Sequence, residues 1–421
     1  MKLYTADRVL TQGAAGAIEA GAVLVDGENI IWVGRYADFP ANDFPSDTQT
    51  RHLGSATLLP GLIDAHVHLA FDGGPNPVAR MKAENDAQQV ALMLRSAREL
   101  LSVGVTTARD LGARGYLDIP VRDAIVDGTA RGPRMLTAGA PITVTGGHCW
   151  FMDGEADAED DVRRMVRRHH KMGVDLIKIM STGGFMTAGS APWFAQFGEQ
   201  QMRAAVEEAH RLGKKIAAHA HGVQGIERAL AAGVDTLEHC SFVHEDGHHE
   251  VVPKLADRIA ASESYVSPTA NFRVSEMIAM SDGAFTPALP ELYSRGVKII
   301  ASTDSGIDNV PHYGFVGALE AMREMGLPAE EVLTSATSRS AEALGLADVT
   351  GRLAVGLSAD LIAVGGDPRA SISALRDLRL VVSRGVEFIP DPLPPIAPLE
   401  RSRFGGRARS DAGARNATST R

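Results

Sequence analysis

The segment Gly61-Leu-Ile-Asp-Ala-His66-Val-His68 sets two histidines two residues apart at the end of an apolar run. On a strand, residues i and i+2 share a face, so both imidazoles point at one place. Two converging imidazoles are half of a divalent metal site. Taken alone the pair is no more diagnostic than that, because alternating histidines also arise by chance on exposed strands. Further along, four more short apolar runs end in chemistry-bearing residues: Lys178, His219 with His221, His239, and Asp304. Neutral imidazole and carboxylate are the usual zinc ligands. Any one of these histidines could be a hydrogen-bonded core residue; the set, recurring at strand ends, points to a metal centre.

A repeated unit must bring these residues together. Five times between residues 100 and 305 an amphipathic helix ends at a glycine and an apolar strand follows, in LLSVGVTTARD, HHKMGVDLIKIM, HRLGKKIAAHAH, LAAGVDTLEHC and YSRGVKIIASTD. Each glycine suits the left-handed conformation that closes a helix. Apolar strands without polar alternation fit a parallel sheet covered on both faces. With TLLPGLIDAHVH, PRMLTAGA and YVSPT the strand count reaches eight. The expected fold is therefore α/β, a (β/α)8 TIM barrel over residues 57–345, whose active site lies at the C-terminal ends of its strands. The flanks, residues 1–56 and 346–392, carry β-type runs such as GAVLVDGENIIWVGR and are expected to pair as one small β-sandwich built from both chain ends. Residues 393–421, rich in Arg, Gly, Ser and Ala, are expected to form a mobile tail.

The formal net charge of −10 and pI near 5.8 disfavour nucleic acid and anionic membrane as partners, leaving a small molecule as the expected ligand. Two cysteines, Cys149 and Cys240, cannot build a disulfide framework, and no apolar run reaches membrane-spanning length. The N-terminal MKLYTADRVLTQG has no apolar signal core, so a cytoplasmic protein is expected.

The motifs PGLIDAHVH, VTGGH, LIKIMSTGG, AAHAHG, TLEHC, SPT and ASTDSG, in that order and at barrel spacing, resemble the amidohydrolase superfamily, specifically its imidazolonepropionase-like and prolidase-like branch with the ochratoxinase-type amidases. The resemblance covers nearly the whole chain. It implies two divalent metal ions, zinc by expectation, held by His66, His68, Lys178, His219, His239 and Asp304, with carbon dioxide added to the Lys178 amine as a carbamate. An ammonium at Lys178 would repel both ions, whereas a carbamate is an anion with two oxygens. Strand geometry alone leaves the choice between His219 and His221 open, since both face one way. The family pattern favours His219, and then His221 and His148 either face the substrate, polarising its carbonyl, or hydrogen-bond a ligand. The relatives' habit of assembly makes a homo-oligomer the expectation.

With two metals, a bridging hydroxide would attack a carbonyl while Asp304 carries the proton to the leaving nitrogen. Candidate substrates are N-acyl amino acids, dipeptides and aryl amides of the ochratoxin kind. Carbamate, urea or cyclic imidazolone hydrolysis is the alternative within the class, and a non-catalytic barrel homologue acting in assembly is the alternative outside it. Arg273 could grip a substrate carboxylate or form a rim salt bridge. Trp150, Phe151, Phe185, Met186, Trp193, Phe194 and Phe197 fall in the loops after the third and fourth strands, where they would cover an apolar substrate group or a subunit interface. Arg109 and Asp110 read as a structural ion pair. His52, His169, His170, His210, His244, His248, His249 and His312 are mostly expected in solvent.

Overall fold

The computed structural model describes residues 1–281 and 285–396. The expected tail lies outside the described residues from residue 397 on. All five repeat glycines, Gly104, Gly173, Gly213, Gly233 and Gly296, take φ between +67° and +92°, one or two residues beyond a helix. A side chain is strained in that conformation, and glycine is not. The helices they close bury one stripe each; in Glu159–Met172 it is Val162, Val166 and His169, spaced by four and three.

Strands β1 (Lys2–Leu10), β2 (Ala17–Asp26), β3 (Asn29–Arg35), β4 (Gln49–His52) and β5 (Ala56–Pro60) come first. Then follow β6 (Leu62–Val67), β7 (Val105–Asp110), β8 (Arg134–Thr137), β9 (Ile177–Met180), β10 (Ile216–Gly222), β11 (Thr236–Val243) and β12 (Tyr265–Ser267), each separated from the next by one or two helical segments. The chain ends with β13 (Leu361–Gly365), β14 (Leu378–Ser383) and β15 (Val386–Phe388).

Strands β6, β7 and β8 pair in parallel, as do β9 to β12. Isolated parallel bridges, Ile142–Ile179, Val266–Ile299 and Val67–Ser305, link the edges of these two sheets. The eighth expected strand, at residues 298–304, takes part through those bridges and through Ala65 N to Ala301 O (3.0 Å) and Ile300 N to Val266 O (2.9 Å), without forming a regular ladder. Every residue of β6, β7 and β9 is buried, as coverage on both faces requires. Leu62, Val105, Ile177, Ile216, Leu237 and Val266 join the helices in one core cluster, each buried side chain contributing about 1.5–3 kcal/mol.

The two chain ends meet, and in hydrogen-bonding terms they form one continuous sheet, β15-β14-β13-β5-β1-β2-β3 with β4 beside β1. Tyr4, Val23, Leu58, Leu361 and Val382 pack together from five of its strands in a core of their own. The run TLLPGLIDAHVH, expected as a single strand, is divided: β5 belongs to this terminal sheet and β6 to the parallel one. The expected boundary at residue 57 thus falls within β5. Among the described residues no helix is long and apolar enough to cross a membrane.

Gly61 is the point of transfer between the sheets. Its N–H donates to Asp360 O (3.0 Å), and a Cβ there would lie 2.0 Å from Thr106 Oγ1 and 2.4 Å from Thr106 Cγ2, on the neighbouring β7. Forcing a methyl group into such a contact costs about 1–3 kcal/mol. Gly61→Ala should therefore lower the denaturation midpoint by a corresponding amount in an equilibrium urea titration; a midpoint unchanged from wild type would show that the crossing is looser than this contact implies.

Candidate functional site

His66 lies near the end of β6 and His68 just beyond it, where Asp304 N donates to His66 O (2.9 Å) and His68 N to Ser305 O (2.8 Å). These two hydrogen bonds fasten the end of β6 to the segment carrying Asp304. The two imidazoles converge as strand alternation requires, Nε2 to Nε2 at 3.3 Å, and Asp304 Oδ1 stands 3.3 Å from His66 Nε2 and 3.2 Å from His68 Nε2. Nearby His66 and His68 hold the Asp304 carboxyl well below the usual carboxylate range despite its burial.

The proton on His66 is set from behind. Its Nδ1 meets Glu238 Oε2 at 2.9 Å, and Glu238 Oε1 accepts from Arg109 Nη2 (2.7 Å) and from Thr236 Oγ1 (2.5 Å), all in the buried interior. Arg109 is itself anchored on Ala65 O (2.6 Å). The Arg109 guanidinium holds Glu238 ionised against the cost of burial. An ionised carboxylate only accepts, so His66 Nδ1 carries the hydrogen. Burial holds the ring's pKa down to about 4, so it is neutral and its Nε2 presents a lone pair. That lone pair and the Asp304 carboxylate, both acceptors 3.3 Å apart, call for a positive charge between them.

A second group lies alongside. The rings of His219 and His221 on β10 and His239 on β11 have centroids 4.3–4.6 Å apart, and each offers a ligand atom within 4.8 Å of the others. His219 Nε2 donates to Gly183 O (2.9 Å), which leaves its Nδ1 as acceptor. His239 Nδ1 contacts Thr269 Oγ1 (3.0 Å) and His221 Nδ1 contacts Ser241 Oγ (2.7 Å). Burial pushes all three imidazoles well down, His221 to about 3, which keeps them in the neutral form that metals bind. His66 and His239, 5.1 Å apart between centroids, join the two groups.

Lys178, on β9, is fully buried, and its Nζ has no hydrogen-bond partner among the described residues. Its charge acts on His66 and Asp304 in one group and on His219 and His239 in the other. Burial lowers it from the usual 10.5 to about 8, so neutral amine is accessible near neutral pH. An orphaned amine facing two sets of lone pairs fits a carbamate and a metal pair, and fits a permanently charged ammonium poorly. The site also holds backbone strain: Asp304 at φ +59° and His239 at +67° are left-handed although neither is glycine, at about 1–3 kcal/mol each.

The ring of His148 lies 4.7 Å from that of His219, tilted by 35°, with its Nδ1 unpartnered among the described residues, and a Cβ on Gly184 would strike its ring at 2.5 Å. Phe185 lies 5.1 Å from His221 and is largely exposed, like Phe194; Trp193 is half-buried, its backbone against Gly222. Phe197 is a correction, a fully buried core residue and not a rim aromatic. Arg273 is buried, donating to Asn309 O (2.9 Å) and to Glu276 Oε2 (3.2 Å), the salt-bridge alternative of its two readings.

Other expectations change. Arg109 does not pair with Asp110, because neighbouring strand residues point to opposite faces; Asp110 instead accepts from Leu69 N (3.2 Å) and Gly112 N (3.0 Å). His169 and His312, expected in solvent, are fully buried; His169 contacts Tyr116 OH (2.8 Å), and His312 Nε2 donates to His68 O (3.1 Å). Sequence reasoning missed Glu238 although it lies inside TLEHC. The available signal was a charged residue one position from a ligand-type histidine, in a strand too apolar to hold it unpaired.

Ochratoxinase of Aspergillus niger is 29% identical over 406 residues, covering 89% of this chain and 83% of its own. Imidazolonepropionase of Pseudomonas fluorescens is 25% identical, covering 84% and 90%. A crystal structure of a Xaa-Pro dipeptidase with bound methionine in its active site superposes with a TM-score of 0.80 at 29% identity, over 92% of this chain and 99% of that one. The sequence profile of the Amidohydrolase family matches residues 57–387, and the chain belongs to that family of hydrolases acting on carbon–nitrogen bonds.

Proposed function

We propose that this chain is a metal-dependent amidohydrolase that cleaves the C–N amide bond of a small substrate, an N-acyl amino acid, a dipeptide or an aryl amide. The observation that carries this reading is the buried, unpartnered Lys178 amine acting on both ligand groups. On this reading the two sheets and the segment at residues 298–304 close an eight-stranded barrel around the site. The protein acts on small molecules, as a cytoplasmic homo-oligomer.

His66, His68 and Asp304 would hold one divalent ion, zinc by preference, and His219 and His239 the other. Lys178 would serve both: its neutral nitrogen attacks carbon dioxide, an N–C bond forms as one C–O π pair moves to oxygen, and the amine proton leaves to solvent. When bound, the metal pair supplies water acidified to near neutral pH and a Lewis acid for the carbonyl. The chain's own groups do the rest. Asp304, ionised and against His68, can take a proton from the nucleophile and deliver it to the leaving nitrogen, since an amine anion leaves poorly. His148 and His221, neutral and beside the ligand groups, can donate to the carbonyl oxygen as charge develops there. Glu238, through Nδ1 of His66, keeps the lone pair on the side where it is needed.

Phe185, edge-on to His221, and Trp193, whose backbone lies against Gly222 at the end of the same strand, would give the substrate side of the site an apolar wall, which would favour an aromatic or bulky group next to the scissile bond. A panel of N-acyl amino acids assayed on wild type and Trp193→Ala should show higher kcat/KM for the aromatic members in wild type, and loss of that preference in the variant. Equal kcat/KM across the panel in wild type would assign these aromatics to an interface. Asp304→Asn should lower kcat by roughly a hundredfold or more with a smaller change in KM, the scale of a lost general acid–base group; a rise in KM with kcat intact would make Asp304 a binding residue only.

A further inference from the structure

Away from the interior cluster, the loop leaving β11 carries a second set of ligand-type side chains, in His244-Glu-Asp-Gly-His248-His249-Glu250. The loop folds back on itself. His244 N donates to His248 O (2.9 Å), Gly247 N donates to His244 O (2.8 Å), and Gly247 has φ +85°. A three-residue connection ending in a left-handed glycine is a standard hairpin solution, and an antiparallel bridge between Val243 and His249 continues it.

Hairpin geometry decides which residues share a face. His244 and His248 sit opposite one another across the turn, so their side chains stand together, and Glu250, two residues on, falls on the same side. His249 alternates inward, its Nδ1 on Ser241 O (3.2 Å) and its ring 5.0 Å from Phe285. The outward imidazoles of His244 and His248 are stacked at 4.5 Å, their planes 10° from parallel. One ligand atom from each of His244, His248 and Glu250 lies within 4.8 Å of the others. Glu250 Oε2 reaches His248 Nε2 at 3.2 Å, and Asp246 contacts its Nδ1.

We propose that this hairpin binds one divalent transition-metal ion through His244, His248 and Glu250, at a site distinct from the interior one. Two imidazoles and a carboxylate select copper, nickel or zinc over calcium or magnesium, which prefer oxygen donors. Bonds of about 2.0–2.2 Å to a tetrahedral ion draw ligand atoms to roughly 3.4 Å from one another. The three side chains, all partly in solvent, reach that separation by small rotations without desolvating a buried charge. The hairpin's inward residue, His249, braces the Ser241 that contacts His221 (2.7 Å), so the bound ion also steadies the rim of the interior site.

The test is a Cu2+ titration of the full chain followed by electron paramagnetic resonance, on wild type and on a His244→Ala/His248→Ala double variant. Wild type should take up one more Cu2+ per chain than the double variant, with hyperfine splitting from two imidazole nitrogens in that extra signal. The double variant should stay folded, with a thermal midpoint close to that of wild type, since both side chains are partly in solvent on the outward face of the hairpin. Equal Cu2+ uptake by the two proteins would overturn the proposal. A single Glu250→Gln variant provides a milder check: weaker Cu2+ affinity at the extra signal supports the carboxylate as ligand, and unchanged affinity removes it from the site and overturns the three-ligand assignment.

Discussion

Glu238, gripped by Arg109 on one side and His66 on the other, fixes the proton on which the rest of the site depends. A carboxylate taken fully out of water survives only if a cation and hydrogen-bond donors go with it. Arg109 supplies the charge, and Thr236 and His66 supply donors. The consequence is chemical as well as structural. With Nδ1 of His66 committed to Glu238, its Nε2 must face His68 and Asp304 as a lone pair, and the neighbouring carboxylate then meets an acceptor that only a cation reconciles with it.

The fold exists to keep that arrangement in place. Arg109 comes from β7, Glu238 and His239 from β11, and His66 from β6, so the contact crosses the interior between strands far apart in sequence. Glycines in left-handed turns let each helix return to its strand in few residues, which sets the register that puts strand ends at one level. The strain stored at Asp304 and His239 is tolerated because neighbouring strands hold both residues on either side. Lys178 is the one strongly basic group in this cluster without a partner among the described residues, and its depressed pKa is the result of burial, against which the nearby Glu238 and Asp304 carboxylates only partly compensate.

Much of this was legible in the sequence, for identifiable reasons. The helix-glycine-strand unit is a local signal repeated five times, and each copy reports its own geometry. The ligand-type residues were legible because each ends an apolar run, where a polar side chain has little purpose as packing. What escaped depends on tertiary neighbours. The break at Gly61 follows from Thr106 lying against it on β7, which no reading of TLLPGLIDAHVH reveals. Glu238 is read only when Arg109 and His66 are known to surround it. The acceptor for His219 is a backbone carbonyl, that of Gly183, and backbone groups carry no sequence signature. His169 and His312 were assigned to solvent because a lone histidine looks alike in sequence whether it faces water or a buried tyrosine hydroxyl.

Anomalous diffraction from a crystal of the zinc-loaded protein, measured on either side of the zinc absorption edge, tests the metal-pair account most directly. It predicts two interior ions, one beside His66, His68 and Asp304 and the other beside His219 and His239, with density for a carboxyl group extending the Lys178 side chain toward both. A single interior ion, or a Lys178 amine left unmodified with the metals in place, would contradict it.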